Sequence, residues 1–280
     1  MLTISFSFYL VMLLLCHFIG DYYLQTNKMA QSKENSIQNT LIHSGLYAVP
    51  FVLLLVGLAF LGFLNVITIG IVVLTVLSHA VIDLIKCVFE MTVGRNESES
   101  NDGKYEFADG GSKLSNRKFN SNGEFKRIIY LADQTLHLII VVIAAVILSE
   151  LAGSVNLSPE IYMFFKYALF AVIIVKPVNI CFKKIFEKYQ PVQKTNENGD
   201  EIESIAGAGA TIGNLERFLM GIFIGIGQYA ALGLVMTAKS IARYDQISKN
   251  KMFAEYFLIG TLYSVLATLI VYFIIFVVFA

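Results

Sequence analysis

Ser78-His79-Ala80-Val81-Ile82-Asp83-Leu84-Ile85-Lys86 sets a histidine and an aspartate four residues apart inside an otherwise apolar run. Residues four apart share a helix face, so His79 and Asp83 make one polar spot on an apolar helix. The same pair recurs as His17 and Asp21 in the first apolar segment and, inverted, as Asp133 and His137 in the fourth. Repeated ionisable pairs inside apolar runs decide how the whole chain is read.

Working outward, the 280 residues are 56% hydrophobic with mean hydropathy +0.66, against roughly 45–50% apolar residues in soluble domains. The apolar residues lie in blocks, not in amphipathic stripes, and the blocks have the length of membrane spans. The fold class is therefore an all-α integral membrane protein of about seven transmembrane helices, with six as the alternative count. The expected spans are 2–25, 41–63, 65–89, 128–148, 161–182, 212–238 and 253–280. The first has neither a basic leading region nor a small-residue cleavage site and is expected to be retained. Lys166 and Lys176-Pro177 interrupt the fifth. The sixth carries Gly213, Gly221, Gly225 and Gly227, small residues that favour close helix packing.

Two regions follow. Residues 1–150 are a four-helix membrane domain carrying the His/Asp pairs, with a flexible cytoplasmic insert at 92–127 that is too polar to form a core. Residues 151–280 are a carboxyl-terminal membrane region of about three helices, with a polar linker at 190–210.

Lys+Arg and Asp+Glu are balanced at 21 each, so net charge points to no nucleic-acid partner. The partner that composition names is the lipid bilayer. Basic residues concentrate in the turn after the first span, in the insert and in the linker, and are missing from the turns after spans two and four. By the positive-inside rule the amino terminus lies outside. The last loop, with Lys239, Arg243, Lys249 and Lys251, falls on the wrong side under a seven-span count, and the rule leaves the carboxyl-terminal half open. Cys16, Cys87 and Cys181 sit in apolar segments without metal or redox spacing and read as packing.

The first four spans agree on depth. Reversing H-x-x-x-D to D-x-x-x-H when the helix direction reverses keeps both layers level. At about 1.5 Å per residue, the aspartates lie roughly 8–10 Å and the histidines roughly 14–16 Å from the cytoplasmic helix ends. His43 enters near the start of the second span, on the same side and near the rim. His17, Asp21, His43, His79, Asp83, Asp133 and His137, which include all four histidines of the chain, can thus converge.

Such convergence needs a reason, because an ionised aspartate at the centre of a spanning helix costs roughly 2.5–3.5 kcal/mol on insertion scales. A divalent metal (zinc, manganese or iron) would offset both that cost and the mutual repulsion, since carboxylate and neutral imidazole are its ordinary ligands. All seven residues are metal-ligand candidates, and Asp21, Asp83 and Asp133 are the catalytic candidates. Thr75 and Gln25 share the helix faces of the pairs and can orient ligands; Lys86 and Gln134 are looser neighbours. A proton or ion relay and plain interhelical hydrogen bonding are the competing readings.

Other features carry less. Glu216 and Arg217 are adjacent and read as an interfacial anchor. Lys239, Arg243 and Glu255 can form a charged surface cluster.

The runs HFIGDYYLQTNKMA, LIHSGLYA, SHAVIDLIK and DQTLH, in that order, resemble a bacterial multi-pass membrane family defined by a domain of unknown function, over Leu10 to about His137. The tail, from IGNLERFL through TAKSIARY to EYFLIGTL, resembles an extension carried by many members. The resemblance implies a bacterial plasma (inner) membrane protein and supplies no reaction. In architecture alone the chain is also similar to small membrane-bound metal-dependent hydrolases. Hydrolysis of a lipid-like ester or phosphoester, with an unligated aspartate as base, is one functional expectation. Ion- or proton-coupled transport and a non-catalytic scaffold are the alternatives.

Overall fold

The computed structural model describes residues 6–33, 36–102, 112–153, 155, 157–190 and 207–279. Their regular structure is helical: α1 (Phe6–Phe18) with a π-helical turn (Ile19–Tyr23), α2 (Asn27–Ser32), α3 (Ile37–Phe60), α4 (Val66–Asp102), α5 (Ser112–Leu151), α6 (Pro159–Ile185), α7 (Ala208–Gly225), α8 (Tyr229–Ala242), α9 (Tyr244–Lys249) and α10 (Lys251–Phe273). Among the described residues, six segments are long and apolar enough to cross a membrane: Phe6–Tyr23, Ile37–Phe60, Val66–Val93, Gly123–Leu151, Pro159–Ile185 and Lys251–Val278. The protein is an all-α, multi-pass membrane protein. Its side chains are sorted accordingly, with Thr40, His43, Thr68 and Thr268 fully buried and Leu53, Leu74, Leu234 and Leu262 exposed. Lipid solvates apolar side chains, whereas polar groups must find partners inside.

Two compact units make up the chain, Met1–Phe165 and Lys166–Ala280. In the first, α1 packs on α3 and α5, and α4 packs on the same two helices, so the four close into a ring. Side chains fix where the helices begin. Thr26 accepts from Met29 N at 3.2 Å to start α2, and Ser36 accepts from Asn39 N at 3.4 Å to start α3. Asn65 accepts from Thr68 N at 2.8 Å at the head of α4 and donates to Ala152 O at 3.2 Å, tying that head to the end of α5. Capping of this kind is worth about 1 kcal/mol.

Helix α4 continues to Asp102 and α5 starts at Ser112, so both ends of the insert expected at 92–127 are helical. Propagating an existing helix costs far less than nucleating one, which lets Ser- and Asn-rich sequence follow the membrane helices. Residues 103–111 of the insert, and 191–206 of the linker expected at 190–210, lie outside the described residues.

In the second unit the stretch 212–238, expected as one span, is a helical hairpin. Helix α7 ends at Gly225; Gly227 takes φ +72°, and Gln228 N closes on Phe223 O at 2.8 Å. A side chain at a positive-φ position would be strained, so glycine permits the reversal. Helix α8 then returns along α7, bringing Lys239 Nζ to 2.6 Å from Glu216 Oε2. The last helix, α10, starts from Asn250, whose side chain accepts from Phe253 N at 3.2 Å. Lys166, which interrupts the fifth apolar stretch, is buried and donates to Phe279 O at 3.1 Å, capping the end of the last helix.

Candidate metal centre

The site begins with an irregularity in α1. Leu24 N bonds Ile19 O at 3.0 Å, the wide i to i+5 closure of a π turn, and such turns recur at functional sites. The four-residue spacing of His17 and Asp21 therefore does not close onto one face. His17 Nδ1 pairs with Tyr47 Oη at 3.1 Å instead, while Asp21 Oδ1 pairs with His43 Nε2 at 3.2 Å. In the regular helices α4 and α5 the spacing does close. His79 Nε2 lies 3.5 Å from Asp83 Oδ2, and His137 Nε2 lies 3.7 Å from Asp133 Oδ1.

The three helices then meet. Asp83 is the hub: its Oδ2 is 3.4 Å from His43 Nε2, and its Oδ1 is 3.7 Å from His137 Nε2. The imidazoles of His79 and His137 lie with ring centres 4.2 Å apart, and the ring of Tyr47 lies flat on His79 at 3.5 Å. His17 closes the far side, with ring centres 5.9 Å from His137 and 6.2 Å from His79. All seven predicted residues are buried and fall in one cluster. His43, expected near the rim, sits in the middle, bridging Asp21 and Asp83.

A glycine sets the approach of α3 to α1. A Cβ at Gly20 would stand 2.8 Å from Tyr47 Cδ2 and 3.1 Å from Tyr47 O, so any side chain beside Asp21 would push Tyr47 out of the cluster.

Charge is only partly balanced. Lys33 Nζ lies 2.9 Å from Asp83 Oδ2 and Lys86 Nζ lies 3.0 Å from Asp133 Oδ2. Asp21 has no lysine within ion-pair distance among the described residues; Gln134 Nε2 donates to its Oδ2 at 2.9 Å. Tyr22 Oη fixes that amide by donating to Gln134 Oε1 at 2.8 Å. Two ammonium groups thus face three carboxylates.

Several buried atoms at the centre have no hydrogen-bond partner: His17 Nε2, both ring nitrogens of His79 and of His137, Asp83 Oδ1 and Asp133 Oδ1. Buried polar groups are normally satisfied, and unpartnered imidazole nitrogens beside an unpartnered carboxylate oxygen are what a cation requires. Two groups could hold a metal ion, Asp21 with His43 and His79, and His79 with Asp83 and His137; within each, one ligand atom per residue lies within 4.8 Å of the others. Asp133 and His17 stand outside both groups.

Not every expected helper takes its expected place. Thr75 bonds its own helix, at Ile71 O, 2.8 Å away. Gln134 and Lys86, read as loose neighbours, are direct partners of the aspartates. Lys33 and Tyr47 escaped the sequence reading. Tyr47 follows His43 by one helical turn, a spacing that could have marked it; Lys33 gives no such signal. Arg217, read as an interfacial anchor, is buried at 3% exposure in the second unit.

A family model described as a protein of unknown function (DUF3307) matches residues 9–164, which include the whole cluster. No curated protein and no solved structure matches the chain.

Proposed function

The chain belongs to the DUF3307 family, and from the His/Asp cage of its first unit we propose a metal-dependent hydrolase of the bacterial plasma membrane, acting on an ester or phosphoester of a lipid-like substrate. One observation carries this reading: the four ring nitrogens of His79 and His137 and Oδ1 of Asp83 are buried and make no hydrogen bond, the Nε2 atoms standing 3.5 to 3.7 Å from carboxylate oxygens. Asp21, His43 and His79, or His79, Asp83 and His137, would hold the ion. Zinc, manganese or iron there supplies a Lewis acid and makes water a stronger acid. Asp133 belongs to neither ligand group; Lys86 holds its Oδ2, and its Oδ1 is left to accept a proton from water. Asp21 and Asp83 act as ligands instead of bases. Gln134 and Tyr22 keep Asp21 oriented.

Lys33 and Lys86, the only partly exposed members of the cluster's ion pairs, mark the side on which the site opens. With basic loops facing the cytoplasm and the amino terminus outside, that side is cytoplasmic.

The test is elemental analysis of protein purified in detergent, followed by assay of the metal-loaded protein on ester and phosphoester amphiphiles. Stoichiometric metal that is lost in His79→Ala, with turnover lost in Asp133→Asn, supports the reading; metal-free protein from cultures supplied with all three metals overturns it.

A second reading rests on closure. Tyr47 lies flat on His79, and the seven residues are buried, an enclosure that admits a proton or a small cation more readily than a lipid. On that reading the same cage serves ion- or proton-coupled transport. Flux in reconstituted vesicles without hydrolysis would favour it.

A further inference from the structure

The second unit holds an open-sided cavity of about 250 Å³ between α6, α7, α8 and α10. Lys183, Arg217, Lys239 and Arg243 contribute to its lining, and among the described residues none that lines it is acidic. Aromatic rings of Phe182, Phe253, Tyr256 and Phe257 form part of the wall. We propose that this cavity binds the phosphate headgroup of an anionic amphiphile, with the basic residues on the phosphate and the aromatic rings along the start of the chain.

Arg217 is the base of the site. Its guanidinium donates to Ile174 O, to Asn179 Oδ1 at 2.6 Å, to Asn214 Oδ1 at 2.7 Å and to Ser264 Oγ at 3.4 Å. Every one of these acceptors is neutral. They hold the guanidinium in place without a direct ion pair, and a buried charge that lacks one is expensive. Lys239 is engaged by Glu216, which offsets one of the four cations and leaves the cavity basic. Arg243 lies over the ring of Phe253, 5.9 Å from its centre, at the edge where an apolar chain would pass.

A second feature is independent of charge. Thr261 lines the cavity, is 7% exposed, and its Oγ1 has no hydrogen-bond partner. A hydroxyl left unsatisfied at the wall of a basic cavity is a donor ready for a phosphate oxygen. The volume lies just below the range of pockets that engulf whole drug-sized ligands, which suits a headgroup better than an entire lipid. The chemistry alone would also take free phosphate, and the test separates the two sources.

The full chain in detergent is melted with dioctanoyl phosphatidic acid, with dioctanoylglycerol of the same chain length, and with inorganic phosphate. Phosphatidic acid should raise the melting temperature saturably, and dioctanoylglycerol should not. An equal effect of inorganic phosphate would assign the site to the free ion. Lys183→Ala with Arg243→Ala should leave the ligand-free melting temperature unchanged and weaken binding by about ten-fold, equal to about 1.4 kcal/mol. Thr261→Val should weaken it less. No shift with either phosphate probe, or an undiminished shift in the double variant, would overturn the site. Neither substitution touches the His/Asp cage, so loss of metal there leaves this result unaffected.

Discussion

Lys33 Nζ lies 2.9 Å from Asp83 Oδ2, fifty positions away in the chain. Lys33 closes the short helix α2 in the polar turn after the first span, and its long side chain carries the charge down to the buried carboxylate. An aspartate that would be prohibitive alone is thus tolerable because a loop residue reaches into the membrane domain.

Lys33→Met therefore leaves Asp83 buried without its cation. Breaking such a pair costs about 3–5 kcal/mol, and the partial exposure of Lys33 puts the expected loss near the lower figure. Chemical denaturation in detergent measures it. Lys33→Met with Asp83→Asn should recover part of the loss, since the stranded charge is gone. A single-variant loss of ~0–1 kcal/mol, as for surface pairs, would show that the contact contributes little.

Gly20→Ala should destabilise the first unit by about 1–3 kcal/mol, the range for overpacking. The added methyl meets Tyr47 O at 3.1 Å as well as the ring, and backbone yields less than a side chain. Gly70→Ala is the matched control, because a Cβ there meets nothing within 4 Å; removing a helical glycine should stabilise by roughly 0.5–1 kcal/mol. Equal melting temperatures for the two variants would refute the close approach of α3 to α1.

The membrane character and the cluster were legible because ionisable residues in apolar runs are costly and stand out at helical spacing. The pairing within the cluster was less so. Four-residue spacing assumes an α-helix, and the π turn at Ile19–Tyr23 redirects Asp21 from His17 to His43. Lys33 was illegible for another reason: a flexible lysine in a polar turn has the same local sequence whether it points to water or inward. In the second unit, 218–236 is apolar but for Gln228, so hydropathy reads one span. The break shows only in Gly225-Ile226-Gly227-Gln228, where a glycine C-cap precedes a polar residue.

The hairpin has a topological consequence. If α7 and α8 enter and leave at one end, the loop with Lys239, Arg243, Lys249 and Lys251 joins the side of Lys183, Lys184 and Lys188, and the positive-inside rule no longer conflicts with itself. Single cysteines at Glu187 and Ser248, in a background with Cys16, Cys87 and Cys181 replaced by serine, should be labelled by an impermeant reagent from the same face of the membrane. Labelling from opposite faces would restore a seventh crossing. A cysteine at Ser112 should be labelled only after the cells are opened.

Asp83 and Asp133 separate metal binding from proton transfer, because Asp83 lies in a ligand group and Asp133 does not. A ligand that binds only the folded state stabilises it by mass action, so a chelator should lower the melting temperature of the metal-bearing protein. Asp83→Asn removes the carboxylate that contacts His43, His79 and His137 together and should reduce both metal content and the chelator effect. Asp133→Asn should keep both and lose turnover, since an amide cannot accept the proton. If the cluster were only interhelical hydrogen bonding, Asp83→Asn would still accept from an imidazole and be nearly neutral, and chelator would change nothing in either variant or in the wild type. If it were a proton relay, no metal would be found and both substitutions would abolish pH-driven flux. Elemental analysis, melting with and without chelator, and flux, made on the same three preparations, decide among the three. An unchanged wild-type melting temperature in chelator, after supply of zinc, manganese and iron, would end the case for a metal.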